Sequence, residues 1–201
     1  IKVESMTSEE IRRLRLCNVD LTETFLPLNT FEEVLEHLKN KCILNLDRSI
    51  KILDDVMKIV NKHNMADQVL LKSDPSDASL KMVETFAPKV DYMPIFMEED
   101  VASEKIENMN INYIGAELVF KSESSSIAQD SYIDMMHKKG RILWGNSIVY
   151  SSRVPLAAGH NDDISLTGDP EDGWGWLAKK GFDIIQTDWT HHCVNYLRNR
   201  Y

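Results

Sequence analysis

The part of this sequence able to do chemistry is a set of polar residues that interrupt or close apolar runs. Asp47 closes CILNLD, Lys72 is next to last in QVLLKS, and Glu117 lies inside NYIGAELVF. Trp144 and Asn146, two apart in RILWGNSIVY, share one face of an extended chain. Asp188 and Trp189 end the apolar part of GFDIIQTDWT. In parallel α/β folds, ligands bind at the carboxyl ends of the strands, which gives polar residues there particular weight. A carboxylate inside an apolar strand is costly unless paired or bound to a cation, so Asp47, Glu117 and Lys72 are expected to neutralise one another in part around a shared pocket. Plainer roles are open to each. Asp47 can cap the next helix, Lys72 can be solvated, Glu117 can serve a structural ion pair, Trp144 can be a core aromatic, and Asp188 can bond neighbouring amides.

A second group sits in the loop AGHNDD, Ala158 to Asp163. His160, Asp162 and Asp163 match neither a zinc-protease nor an EF-hand spacing. His160 could act as an acid or base near neutral pH, or simply lie at the surface. His191 and His192 follow the last apolar run and read as surface residues, and Trp174 and Trp176 read as packing aromatics.

The elements that must position these residues alternate regularly. Thr7 to Glu10 and Thr30 to Glu33 both fit a capping box. Phe31, Val34, Leu35 and Leu38 recur at helical spacing before the strand candidate Cys42 to Asp47, and Ser49 can cap the helix that follows. Further strand candidates are Gln68 to Ser73, Val90 to Phe96, Asn112 to Phe120, Arg141 to Tyr150 and the run after Gly181, with helical stretches between them. Asp169-Pro170 opens the last helix and only a short tail follows the last strand. Such alternation implies a parallel sheet, either doubly wound or a barrel. No glycine-rich phosphate loop follows any strand, which weakens the nucleotide-binding alternative.

Composition bounds the rest. With 201 residues, 43% of them hydrophobic, the chain can build one sizeable core, and a single domain over residues 1–201 is expected. The balance of 23 basic against 32 acidic residues and the lack of a basic stripe argue against nucleic acid as a partner. An acidic protein that binds a phosphorylated ligand needs a local cation or metal to do so. No apolar run reaches the length of about 18 residues that crosses a bilayer, so a soluble protein without a transmembrane segment is expected. The three cysteines lack metal-ligand spacing, and Cys42 reads as part of a core strand. The chain opens on Ile1 rather than methionine, so the lack of a visible leader carries little meaning.

Several of these stretches together resemble the glycerophosphodiester phosphodiesterases, of the phospholipase C-like TIM-barrel superfamily. Gly181, Asp183, Ile185, Thr187, Asp188 and Trp189 match that family's closing motif, with Thr190 where a proline is usual. Pro27, Phe31, Glu33 and Leu35 resemble its helix entry, and ILNLD resembles its Leu-Asn-Ile-Glu strand with Asp47 for the glutamate. Ser49 stands where a lysine is usual, and Lys72 where many members carry serine. ILWGNS keeps the Trp144 and Asn146 of a Val-Trp-Thr-Val-Asn strand.

The resemblance implies an α/β fold of the (β/α)8 TIM-barrel type, with the strand candidates here serving as strands three to eight of an incomplete barrel. A barrel usually takes about 250 residues, which leaves this chain about one and a half strand–helix units short. It further implies a metal-dependent phosphoric diester hydrolase that releases an alcohol and glycerol 3-phosphate, as part of lipid metabolism. Asp47 would be a metal ligand for calcium or magnesium, the only one matched. Lys72 would position the phosphate, Glu117 would orient the polar head, and Trp144 would wall the alcohol side, with Asn146 and Asp188 in substrate binding. The family's His-Arg-Gly strand and His-Asp hairpin have no match, so no catalytic histidine is identified and hydrolysis is expected to need residues upstream. The alternative is a catalytically inactive pseudoenzyme or ligand-binding barrel fragment. A small-molecule phosphodiester is the implied partner. Open sheet edges favour a homo-oligomer or a covering amino-terminal segment. Members of the family are often exported in bacteria, which leaves that location open.

Overall fold

The computed structural model describes residues 2–151 and 153–200. The chain forms two compact units, Ile1–Cys42 and Ile43–Tyr201. In the first, Thr7 caps α1 (Ser8–Arg13), accepting from the Glu10 N–H while the Glu10 carboxylate takes the Thr7 N–H at 2.7 Å. An antiparallel hairpin follows, β1 (Arg15–Cys17) with β2 (Glu23–Pro27). Its strands are short and mostly exposed, which is why they carry no hydrophobic alternation for a sequence reading to find. Thr30 and Glu33 then form the second expected capping box and open α2 (Phe31–Leu38).

The second unit alternates strand and helix throughout. The elements are β3 (Leu44–Leu46), α3 (Leu53–Lys62), β4 (Val69–Ser73), α4 (Asp77–Phe86), β5 (Asp91–Met97), α5 (Ser103–Glu107), β6 (Gly115–Val119), α6 (Asp130–Lys138) and β7 (Ile142–Asn146). After them come α7 (Asp162–Thr167), α8 (Trp176–Lys180), β8 (Ile184–Gln186) and α9 (Thr190–Arg198). Strands β3 to β8 form one sheet in exactly sequential order, each parallel to the next. A doubly wound sheet reverses its strand order at a switch point, whereas a barrel never does. The fold is therefore an open half-barrel of six parallel strands, as expected for strands three to eight.

One face of the sheet carries Leu71, Tyr92, Phe96, Leu118 and Leu143, all wholly buried. The helices contribute Leu53, Val60, Leu80, Val83 and Leu177, likewise buried. The opposite, inner face carries Leu70, Lys72, Met93, Glu117, Trp144 and Asn146, the alternate residues of the same strands. Among the described residues no helix is long and apolar enough to cross a membrane.

Some elements differ from the sequence expectation. The strand expected over Cys42 to Asp47 shrinks to its middle, leaving Cys42 exposed ahead of it and Asp47 just beyond it. Ser49 does not cap α3; its hydroxyl donates to the Leu46 carbonyl at 2.8 Å, and a 3-10 turn over Ile50–Ile52 precedes the helix. Strand β7 stops at Asn146 rather than Tyr150, because the next carbonyl, of Ser147, accepts from the Asp162 N–H at 2.7 Å. Asp169-Pro170 is followed by a π-helical turn, Glu171–Gly175, closed by the Gly175 N–H on the Pro170 carbonyl at 2.8 Å. The stretch after the last strand is the helix α9 rather than a tail.

The carboxyl ends of β7 and β8 are tied together by Asp162, which is 2% exposed. Its Oδ1 accepts from the Ser147 hydroxyl, from Trp174 Nε1 at 2.7 Å and from Thr187 Oγ1 at 2.7 Å. Its Oδ2 accepts the Asp188 backbone N–H at 2.9 Å. A buried carboxylate is stable only when its lone pairs are met in this way.

Two outcomes follow for stability. Asp162→Ala strips an acceptor from several buried donors, each costing about 1–3 kcal/mol when left unmet, so a loss of about 3 kcal/mol is expected from urea unfolding with an unchanged slope. At Gly115 a Cβ would overlap the Ile142 carbonyl of the paired strand, which is backbone and cannot swing aside. Gly115→Ala should cost about 2–3 kcal/mol by overpacking, and a midpoint equal to the wild type's would contradict the close β6–β7 approach.

Candidate functional site

Strand β4 is buried along its whole length and delivers Lys72 to the inner face near its carboxyl end. Strand β6 delivers Glu117 and β7 delivers Trp144, which are register partners, with Asn146 two residues further. Lys72 is 4% exposed and Glu117 is 9% exposed at the side chain, and their Nζ and Oε2 atoms are 2.7 Å apart. Asn146 Nδ2 donates to Glu117 Oε1 at 2.7 Å. The Lys72 ammonium also stands over the Trp144 ring, 3.6 Å from its centroid. Trp144 Nε1 donates in turn to Gln186 Oε1 of β8 at 3.1 Å. A continuous polar and aromatic row therefore crosses four strands of the inner face.

The contact between Lys72 and Glu117 is chiefly ionic. Glu117 Oε2 is buried, and its partner is the Lys72 ammonium at 2.7 Å. An ammonium has three donors. Among the described residues the Trp144 ring face is the one other group that meets them.

Of this row Lys72 lines a cavity of about 400 Å³ near the carboxyl ends of β3 and β4, together with Asp47, Arg48, Lys51, Ser73 and Asp74, and with Ile50, Ser79 and Ile95. Asp47 reaches the same cavity as Lys72, but its ion pair is with Arg48, at 3.7 Å, and its side chain is 63% exposed. Asp74 accepts from the Ser76 N–H at 3.0 Å and from the Ser79 hydroxyl at 3.0 Å, holding the first turn of α4. The Ser76 hydroxyl, foremost, holds the Asp74 carboxyl below its usual range. Ser73 Oγ meets the Tyr92 hydroxyl at 2.9 Å, and burial pushes that phenol up to about 12, so it stays neutral. A second depression, about 270 Å³, lies on the inner face below and is mostly apolar, with Leu70, Met93, Ile142, Trp144 and Ile184 in its walls.

The remaining candidates lie elsewhere. Asp188 is exposed and contributes its backbone N–H to Asp162. Asp162 is the buried tie described above, and Asp163 is exposed in the first turn of α7. His160 stacks on Trp176 with centroids 3.8 Å apart, its Nδ1 on the Asp172 carbonyl at 2.5 Å and its Nε2 on Glu123 at 3.0 Å. Both ring nitrogens are thus engaged away from the cavity lining. His191 and His192 lie exposed on α9.

A divalent cation needs several oxygen ligands brought together. Asp47 is solitary and paired with Arg48, Glu117 is committed to Lys72 and Asn146, and Asp74 is committed to the α4 cap. Among the described residues no group of three or more His, Cys, Asp or Glu could hold a metal ion. The donor set therefore does not fit the calcium or magnesium that the family resemblance implies. Sequence reasoning missed Gln186, Arg48 and Ser147. Gln186 stands two places from Ile184 on the inner face, and that spacing was the one signal for it.

Among solved structures, the chain is similar to a glycerophosphoryl diester phosphodiesterase from Parabacteroides distasonis, at 17% identity and a TM-score of 0.72 over 98% of this chain. A protein from Galdieria sulphuraria, provisionally assigned as a glycerophosphodiester phosphodiesterase, is similar at 14% identity and a TM-score of 0.69 over 99%. A further glycerophosphodiester phosphodiesterase from Parabacteroides distasonis gives 16% and 0.59 over 98%. This chain spans 65% of the first of those proteins and 73% of each of the other two. At such identities the likeness shows the shared fold. No curated protein matches the chain significantly. Residues 92–197, from β5 into α9, match the family model DUF4996, described as a domain of unknown function, and the chain belongs to that family.

Proposed function

We propose that this domain binds a small phosphodiester beside Lys72, near the carboxyl ends of β3 and β4, in the service of hydrolysis of the glycerophosphodiester type. The observation that carries this reading is Lys72, a buried ammonium that lines a cavity and is held between Glu117 and the Trp144 ring. In this reading the phosphate lies against Lys72, and the Trp144 ring helps to hold that ammonium in place. Asn146 keeps the Glu117 carboxylate turned toward Lys72. The fold shared with phosphodiesterases supports the choice of a phosphodiester over other anions.

A specific observation favours a second reading, a binding domain without catalysis. His160 has both ring nitrogens engaged beside Trp176, and among the described residues no histidine lines the cavity. No proton-transfer step is assigned to a residue of this chain.

Titration of the protein with glycerophosphocholine, paired with a coupled assay for released glycerol 3-phosphate, separates the two. Binding with release supports the hydrolase, and binding without release supports the non-catalytic domain. Absence of binding overturns both. Trp144→Ala should weaken binding about tenfold, or about 1.4 kcal/mol, through loss of the ring face against the Lys72 ammonium. Asp163→Ala, at an exposed position outside the cavity lining, should leave the affinity unchanged.

A further inference from the structure

A phosphodiester carries one negative charge, and a pocket that excludes water must set a positive charge or aligned donors against it. Two sources of that charge can be weighed on the geometry of the cavity. A hard divalent cation gathers six or more oxygens, usually with several carboxylates among them. Each carboxylate at or beneath this cavity is already committed. Asp47 faces Arg48, both oxygens of Asp74 hold the start of α4, and both oxygens of Glu117 are taken by Asn146 and Lys72.

The second source is the protein's own cations at the cavity, of which Arg48 and Lys51 are exposed to water and Lys72 is buried. Among the described residues Lys72 is the one lysine or arginine that is buried. It lines the cavity, and its charge is held in place by Glu117 at 2.7 Å. A bound cation beside Glu117 would have to displace this ammonium or sit against it, like charge against like charge at low dielectric.

We infer that the site takes its phosphodiester without a divalent cation, the Lys72 ammonium supplying the positive charge opposite the phosphate. This rests on the proposed function, since it concerns the same cavity. It departs from the metal dependence that the family resemblance implies, and the reason is the donor set itself.

The test is isothermal titration of the full chain with glycerophosphocholine, first in EDTA and then with calcium or magnesium in excess. The expected result is one affinity within about twofold, or about 0.4 kcal/mol, in all three conditions. Affinity at least about tenfold tighter with either cation overturns the inference and leaves the functional reading standing. Binding in none of the conditions overturns the functional reading and the inference together. Lys72→Met alone leaves Glu117 buried and unpaired and can unfold the domain. The double variant Lys72→Met with Glu117→Gln keeps the site neutral, and circular dichroism checks its fold. It should lose affinity by about tenfold or more, and wild-type affinity in that variant overturns the role of Lys72.

Discussion

A charge taken out of water has to be met by the protein, and the second unit is organised around two places where that demand is satisfied. Asp162 is the first. Its carboxylate collects the Ser147 hydroxyl, the Trp174 indole, the Thr187 hydroxyl and the Asp188 amide. Those groups come from the ends of β7 and β8 and from the π-helical turn, so one buried side chain fixes three segments that are far apart in sequence. The closing motif GFDIIQTDWT depends on it, because the Thr187 hydroxyl and the Asp188 backbone N–H both donate to Asp162. Asp183 of the same motif accepts the Leu143 N–H at 2.8 Å and so locks β8 against β7 from the other end.

The second place is the ion pair of Lys72 and Glu117. Replacing a buried pair by apolar residues is often neutral for stability, whereas breaking one is expensive. The pair is thus poorly explained as a stabilising device. Its position at the carboxyl ends of parallel strands, with Asn146 orienting the acid and Trp144 under the cation, accords better with a binding role. The Lys72 ammonium is a compact point charge, and Glu117 holds it at 2.7 Å on the inner face.

The half-barrel leaves β3 and β8 as edges of the described sheet and an inner face with an apolar depression. Edges and apolar faces of this kind invite association unless they are covered. The chain belongs to a family described as a domain of unknown function. The fold is shared with phosphodiesterases; the chemistry at the strand ends has to be argued from the side chains present.

The order of strands and helices was legible in the linear chain because burial imposes a local period. Apolar runs marked β4, β5 and β6, and the paired Thr and Glu of both capping boxes marked the helix starts, since those bonds join residues only three apart. The facing of Trp144 and Asn146 was legible for the same reason. Other features rest on contacts between distant residues. Asp47 looked like a partner for Lys72, yet the strand ends before it and it turns to Arg48. Asp162 looked like a loop carboxylate, and only the approach of β8, some 25 residues on, makes it the buried tie. His160 carried no sign of the indole it stacks on. Local periodicity sets which way a side chain faces. Which charge it meets there is decided when strands remote in sequence come side by side, and that pairing assigned Glu117 to Lys72 and left Asp47 alone.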